Sequence, residues 1–194
     1  MKYYILGLFL FFTLSQNTFS QSVGSGKFKA EFLEQINKLR QKGCNCGTTK
    51  MPPVAPLKWN DDLEKAAKGH AQEMAKKKYF SHSSKDGRSA MTRAEDAGYT
   101  HKGFRSFTVG ENIAQGQPTI DEVMDGWFKS PSHCMNLMNP DFKEVGVWLH
   151  NTYWVQDFGG REEFSSQLKE MLKSGKARIL PSPLKTSYAL GPRW

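Results

Sequence analysis

Three polar side chains in separate segments have the chemistry of a functional site: His82, Glu111 and His133. Two imidazoles and a carboxylate can hold a divalent cation such as zinc and leave a coordination position open. A histidine and a glutamate can also hold a water molecule and deprotonate it. The three residues are scattered over about fifty positions, so their spacing alone does not place them together.

The first 20 residues are typical of a secretory signal peptide. Lys2 precedes the apolar run Tyr4–Leu14, and Thr18 and Ser20 suit the positions before a cleavage site. The run is shorter than the roughly 20 residues of a membrane-spanning helix. We therefore expect residues 1–20 to be removed and the mature protein to be secreted or periplasmic. The alternative is an N-terminal anchor or an apolar core segment.

The sequence has three cysteines, of which Cys44 and Cys46 lie close together and Cys134 lies far along the chain. Export favours a disulfide over thiol catalysis or a zinc ribbon, because the compartment is oxidising. A bridge that closes a loop of nearly ninety residues removes several kcal/mol of unfolded-chain entropy in the simple model. We expect one disulfide between Cys134 and either Cys44 or Cys46, and the sequence does not choose between them.

The charge distribution argues against a nucleic-acid reader. The 194 residues fit one domain and include 27 Lys+Arg against 19 Asp+Glu. Residues 161–194 carry seven basic and three acidic residues, whereas residues 21–160 are nearly balanced. A nucleic-acid reader would concentrate its positive charge on a folded face. We therefore expect a solvated basic tail, with contact to an anionic cell envelope as the alternative.

Apolar periodicity and capping residues predict helices that alternate with Gly/Pro loops. The predicted helices are 27–42, 61–78 with a capping box at Asp61 and Glu64, 89–97, 119–129, and a short helix that begins at Ser130-Pro131. Alternating residues on both sides of Asn151-Thr152 predict a β-hairpin. Apolar residues at helical spacing in 161–174 predict a helix, which we expect to dock on the domain. We expect residues 176–194 to form an extended, mobile tail.

Five segments occur in a specific order: Tyr79–Ser83, Gly110–Ala114, Trp127–Pro140, Phe142–Val147 and Tyr153–Gly159. They resemble the signature blocks of bacterial SCP-like extracellular proteins, which belong to the CAP superfamily of cysteine-rich secretory, antigen-5 and pathogenesis-related proteins. The resemblance implies a CAP domain over residues 27–160, followed by a C-terminal helix and basic tail over 161–194. It also implies a three-layer α/β/α sandwich around a central, mainly antiparallel sheet.

The same resemblance implies that His82, Glu111 and His133 line a central cleft, with His82 and His133 as candidate metal ligands. Asn112 and Asn136 are expected to pin loops by hydrogen bonds rather than contact a ligand. His70 lies on the apolar face of a predicted helix, so we expect it to be a hydrogen-bonded core residue.

One position departs from the family pattern. Many eukaryotic relatives carry a second cleft carboxylate a few residues after the tryptophan that matches Trp127, and this chain has Ser130 in that region. Ser130 is a candidate for that space, although we favour its role as a helix N-cap. Glu95 or Asp125 is the alternative source of an acid.

These features leave three functions open. The first is a secreted module that binds a lipid, glycan or protein partner, with or without a metal. The second is a hydrolase that uses Glu111 and a water activated by histidine or by a metal. The third is a structural envelope protein. The sequence contains neither a His-Glu-x-x-His zinc helix nor a Gly-x-Ser-x-Gly elbow, so we favour the binding module.

Overall fold

The computed structural model describes residues 22–178 and the backbone of residues 188–190. The expected signal peptide therefore lies outside the described residues. The helices are α1 (Gly26–Lys42), α2 (Asp61–Lys77), α3 (Ala90–Ala97), α4 (Ile120–Lys129), α5 (Pro131–Leu137) and α6 (Ser166–Lys173). The strands are β1 (Cys44–Cys46), β2 (Thr49–Met51), β3 (Lys58–Trp59), β4 (Phe104–Gln115), β5 (Glu144–His150), β6 (Tyr153–Glu163) and β7 (Tyr188–Leu190).

The central sheet has the strand order β3-β5-β6-β4-β7. Its long pairs, β5 with β6 and β6 with β4, are antiparallel, and the short strands β3 and β7 add parallel edges. The hairpin between β5 and β6 turns at Asn151-Thr152, as predicted, and Asn151 has a φ of 55°. Asparagine tolerates this left-handed conformation better than most residues.

Helices cover both faces of the sheet. Helices α2 and α3 pack on one face, where Leu63, Ala94, Tyr99 and Val109 belong to one buried apolar cluster. Helices α1 and α4 pack on the other, where Phe28, Phe32 and Trp127 belong to one buried apolar cluster with residues of β5 and β6. The molecule is thus the three-layer α/β/α sandwich that the sequence implied. Within residues 22–178, no helix has the length and apolar character that crossing a membrane requires.

The structure selects one of the two open disulfide pairings. Cys46 is bonded to Cys134, and Cys44 remains a free, half-buried thiol. Strands β1 and β2 form a separate two-stranded hairpin, so the disulfide ties this hairpin to helix α5.

Helix α5 is also fixed by a buried cation on α1. Arg40 is fully buried and its guanidinium donates to the carbonyl oxygens of Ala55, Leu137, Asn139 and Phe142 at 2.7 to 3.2 Å. Burial lowers the pKa of Arg40 to about 10, so it stays charged at neutral pH. Carbonyl dipoles replace its lost hydration, and the end of α5 is held against α1.

Two predictions about element ends and one about helix docking are wrong. The capping residue of α2 is Asn60, which accepts from the amides of Asp62 and Leu63, and not a capping box at Asp61. Strand β6 continues to Glu163, so the C-terminal helix begins at Ser166 instead of residue 161. None of the residues of α6 is buried, which contradicts the expected docking of that helix.

The prediction of an extended, mobile tail is wrong for residues 188–190, which form a strand. Residues 188–190 pair with β4 in parallel, with Gly110 opposite Ala189. Residues 179–187 and 191–194 lie outside the described residues, and the expected mobility of the tail stays a prediction for them.

The backbone of α2 lies directly on strand β5. A Cβ atom at Gly146 would overlap the backbone of Leu63 and Glu64, whereas a Cβ atom at Gly69 would meet nothing within 4 Å. The sandwich therefore requires glycine at position 146 and tolerates a side chain at position 69.

We predict that Gly146→Ala lowers the free energy of unfolding by about 1–3 kcal/mol or more, because the helix must move off the sheet. Gly69→Ala should raise it by up to about 1 kcal/mol, because alanine favours the helix. Urea unfolding followed by circular dichroism, with the disulfide intact, measures both. Equal stability of the two variants would contradict the close contact between α2 and β5.

Candidate functional site

The site is built around two carboxyl groups on neighbouring strands. Glu111 of β4 lies directly opposite Asp157 of β6, and both side chains are fully buried. No donor of the described residues hydrogen-bonds to either oxygen of Asp157. Burial and the neighbouring charge of Glu111 raise the pKa of Asp157 well above its ordinary value. Burial and the charge of Glu111 therefore favour the protonated form of Asp157.

Glu111 is kept ionised by two partners. Arg93 Nη2 donates to Glu111 Oε2 at 2.5 Å, and His82 Nδ1 lies 2.7 Å from Glu111 Oε1. Burial alone would raise the pKa of Glu111, but the charge of Arg93 and the hydrogen bond from His82 outweigh it, so the pKa is lowered. Both oxygens of this carboxylate are thus occupied by donors.

The loop that carries His82 is fixed by the same arginine. Arg93 Nη1 donates to the carbonyl oxygens of His82 and Arg88, each at 3.0 Å. Arg93 lies on α3, which caps at Ser89 and packs on the sheet next to β4. One buried guanidinium therefore holds the Glu111 side chain and the backbone of the His82 loop in one place.

The hydrogen bond to Glu111 also sets the tautomer of His82. An ionised carboxylate only accepts hydrogen bonds, so Nδ1 of His82 carries the proton. The other ring nitrogen, Nε2, then presents a lone pair when the ring is neutral. The side chain is 13% exposed, so His82 can meet a ligand that enters the site.

The backbone of His133 is held on the other face of β4 by a hydrogen bond from Asn112. Residue 112 points away from residue 111 because side chains alternate along a strand. Asn112 donates to the backbone oxygen of His133 at 3.3 Å, and Asn136 donates to Asn112 Oδ1 at 2.9 Å. The two asparagines thus form structural hydrogen bonds as expected, but they pin helix α5 to strand β4 and not loops.

The structure contradicts our prediction that the side chain of Ser130 caps helix α5. Its side chain makes no capping hydrogen bond to α5, although the residue occupies the N-cap position. Instead its hydroxyl lies 2.9 Å from His133 Nδ1. Ser130 therefore orients the imidazole of His133.

A cleft of about 220 Å³ opens beside His133. Its walls are mainly apolar and are formed by Phe80, Ile113, Ala114, Gln115, Gln117, Val123, Gly126, Trp127 and His133. Burial, with a smaller effect of charge on His82, lowers the pKa of His133 to about 4. The imidazole in the wall of the cleft is therefore neutral at physiological pH.

The structure brings His82 and Glu111 into direct contact. His133 hydrogen-bonds with Ser130 and interacts electrostatically with His82. Neither alternative acid joins the Glu111 cluster: Glu95 lies 3.5 Å from His101, and exposed Asp125 pairs with Lys129. His70 is buried and bonds through Nε2 to the carbonyl oxygen of Ser81 at 2.8 Å, as a core histidine should.

Sequence reasoning missed Arg93 and Asp157. Arg93 shares a helix face with Ala90, Ala94 and Ala97, all buried, and a cation on such a face requires a buried partner. Asp157 continues the row of Tyr153 and Val155 along β6, where an acid is equally out of place. Both residues interrupt an apolar pattern, and that interruption was the available signal.

The histidines do not form a preassembled three-ligand metal site. Within residues 22–178, the three cysteines are the only group of three or more histidine, cysteine or acidic residues whose ligand atoms all lie within 4.8 Å of one another. Zinc sites in proteins usually supply three or four protein ligands. The arrangement of His82, Glu111 and His133 therefore fits a zinc centre poorly.

Comparisons with known proteins agree on one family. A family model described as the cysteine-rich secretory protein family, CAP, matches residues 33–158. Two Bacillus subtilis proteins are similar: the uncharacterized protein YkwD, 32% identical over 69% of this chain, and the uncharacterized membrane protein YlbC, 33% identical over 54%. The chain spans only 48% of YkwD and 29% of YlbC.

Solved structures show the same domain. An extracellular protein from Bacillus anthracis that contains an SCP domain is 25% identical, with a TM-score of 0.52 over 68% of this chain and 41% of that one. An outer surface protein from Borrelia burgdorferi is also 25% identical, with a TM-score of 0.57 over 72% of this chain and 98% of that one.

Replacing each of the two buried carboxyl groups by an amide should change the free energy of unfolding by different amounts. Glu111→Gln leaves Arg93 buried without its charge partner, so we expect a loss of about 3–5 kcal/mol in the free energy of unfolding. Asp157→Asn keeps the size of the side chain and replaces a group whose ionisation is opposed by burial. We therefore expect it to leave the free energy of unfolding almost unchanged at mildly acidic pH.

The sign of the pH dependence follows from the raised pKa of Asp157. Above its ordinary value of 3.8 the unfolded chain releases this proton and the folded chain keeps it, so the wild type loses stability as pH rises. Relative to the wild type, Asp157→Asn should gain stability as pH rises from mildly acidic to mildly alkaline values. Denaturant unfolding across this range measures the difference, and a difference that does not change with pH would contradict the raised pKa of Asp157.

Proposed function

Because this chain belongs to the cysteine-rich secretory protein (CAP) family, we propose that it is an exported binding module whose cleft takes the apolar part of a lipid-like ligand. The observation that carries the proposal is the neutral imidazole of His133 in the wall of a mainly apolar cleft. Ligand pockets commonly combine apolar walls with a few polar groups that orient the ligand.

The composition of the cleft favours a lipid over a glycan. Its side walls are formed by Phe80, Ile113, Val123 and Trp127, which offer contact area and few hydrogen bonds. A glycan would leave most of its hydroxyl groups without partners on such walls, at a cost for each buried hydroxyl. A volume of about 220 Å³ suits a short acyl segment or a single ring rather than a whole lipid.

The polar groups favour an uncharged head group that can donate hydrogen bonds. The low pKa of His133 keeps that ring neutral. A neutral imidazole has one nitrogen that accepts a hydrogen bond from a hydroxyl or an amide. It supplies no positive charge to neutralise a phosphate.

The same geometry argues against hydrolysis by Glu111. An effective general base has a pKa close to the working pH and must reach the proton that it removes. Glu111 is fully buried, its pKa is lowered, and both of its oxygens accept hydrogen bonds. We assign it the role of a positioning residue for His82.

Export is supported by the relatives and by the sequence. The Bacillus anthracis neighbour is described as extracellular and the Borrelia neighbour as an outer surface protein. Residues 1–20 have the pattern of a signal peptide. Together these observations support secretion or a periplasmic location.

Filling the cleft should weaken the binding of an acyl ligand. Gly126 lines the cleft and a Cβ atom there would meet nothing within 4 Å, so Gly126→Leu adds a side chain without a clash at its first atom. We predict that Gly126→Leu weakens the binding of a fluorescent acyl probe by about tenfold or more, because the side chain takes the space of the acyl group. Gly69→Leu is the matched control, since it adds the same side chain to open space on α2.

Fluorescence titration measures both variants and the wild type. Equal probe affinity of Gly126→Leu and the wild type, with unchanged circular dichroism, would show that the cleft is not the binding site. Ester hydrolysis by the wild type that is lost in Glu111→Gln while circular dichroism shows this variant to be folded would favour the hydrolase instead.

Binding should not depend on zinc, because the two histidines lack a converging third ligand among the residues that the structure describes. We predict that EDTA leaves probe binding unchanged. Calorimetric titration of the metal-free protein should show no zinc site that His82→Ala and His133→Ala both weaken. Zinc binding that each substitution lowers by about tenfold would contradict this expectation.

A further inference from the structure

The three cysteines converge although only two of them are bonded. Cys44 and Cys46 are two positions apart on strand β1, and such residues share one face of a strand. That face meets helix α5, which carries Cys134. Cys44 is therefore presented to Cys134 from the same side as its bonded partner, Cys46.

The free thiol lies next to the disulfide. Cys44 Sγ is 3.8 Å from Cys134 Sγ and 3.9 Å from Cys46 Sγ. Cys46 and Cys134 are almost completely buried, whereas Cys44 is half-buried. A small thiol in solution can thus reach Cys44 more easily than either sulfur of the disulfide.

We propose that the three cysteines form a thiol–disulfide exchange site that reacts with small external thiols through Cys44. In the first step the Cys44 thiolate attacks Cys134 Sγ, the Cys44–Cys134 bond forms, and Cys46 leaves as a thiolate. This step rearranges one disulfide into another and needs no oxidant or reductant.

The external thiol acts in the next two steps. Its thiolate attacks the sulfur of Cys44, forms a mixed disulfide with it and releases the Cys134 thiolate. A second external thiolate attacks the mixed disulfide, releases Cys44 as a thiolate and leaves as part of an external disulfide. Two external thiols are oxidised and the protein disulfide is reduced to two thiols, so the electrons balance.

The local structure allows the first step and limits its rate. Cys44 Sγ is almost equally far from both bonded sulfurs, so it lies beside the bond and must swing into line with it before attack. Strands β1 and β2 have three residues each and pair only with one another among the described strands, so this movement leaves the main sheet intact. Burial also raises the pKa of the Cys44 thiol, which lowers the thiolate fraction at neutral pH.

The site has a structural consequence for helix α5. Cys134 directly follows His133 in that helix, and the exchange moves its covalent anchor on β1 by two residues. The reactive centre is therefore one residue away from the imidazole that lines the cleft.

The rate at which glutathione reduces the Cys46–Cys134 bond tests the proposal. The oxidised wild type, Cys44→Ala and Asn45→Ala are incubated with glutathione and EDTA, then acid-quenched and mapped by mass spectrometry. EDTA prevents a metal from protecting the thiols. Asn45→Ala is the matched control, because Asn45 is exposed on the other face of β1 and offers no sulfur.

We expect Cys44→Ala to be reduced about tenfold more slowly than the wild type, and Asn45→Ala to match the wild type. Wild-type peptides should contain the Cys44–Cys134 linkage and a Cys44–glutathione adduct. Equal reduction rates for Cys44→Ala and the wild type would overturn the proposal. So would a Cys44 thiol that remains alkylatable in oxidised, folded Cys46→Ala, where it should pair with Cys134.

Discussion

The buried charge of Glu111 is the constraint on which the site depends. A carboxylate inside the sandwich is stable only if nearby donors replace the water that it has lost. Arg93 of α3 and His82 of the loop after α2 supply these donors. Strand β4, helix α3 and that loop are consequently fixed relative to one another. Asp157 adds a second carboxyl group, and burial together with the charge of Glu111 raises its pKa and so opposes a second buried charge.

Because side chains alternate along strand β4, neighbouring residues of this strand face two different environments. Glu111 faces the ionic cluster under α2 and α3, whereas Asn112 faces α5 and is bonded to the backbone of His133. The ionic cluster orients the ring of His82, and the α5 side offers an apolar cleft. A ligand that combines an apolar group with a polar group matches both environments.

Helix α5 has seven residues and is too short to be stable alone in water. Its position is set by contacts at both ends and in its middle: Ser130 with His133, the disulfide at Cys134, and the guanidinium of Arg40 on the oxygen of Leu137. The imidazole in the cleft wall is therefore held by tertiary contacts. A rearrangement of the disulfide at Cys134 would therefore act on the same helix that carries His133.

The sequence by itself determined the local elements and the family. Apolar periodicity located α1 to α4, alternation located the hairpin at Asn151-Thr152, and the ordered blocks indicated the sandwich and its candidate residues. Strand β4 carried no such signal, because it is covered on both faces and its buried residues Glu111 and Asn112 are polar. Edge strand β7 was also missed, because its pairing with β4 depends on a distant segment.

Only the tertiary structure decided the chemistry of the site. The pKa values of Glu111, Asp157 and His133 depend on burial and on charges from other segments, which spacing along the chain does not encode. Likewise, Cys44 and Cys46 are equivalent in sequence, and the contact between β1 and α5 selected Cys46 as the partner of Cys134. The role of Ser130 was also decided by the tertiary structure, because its hydroxyl bonds the His133 ring and not the helix backbone.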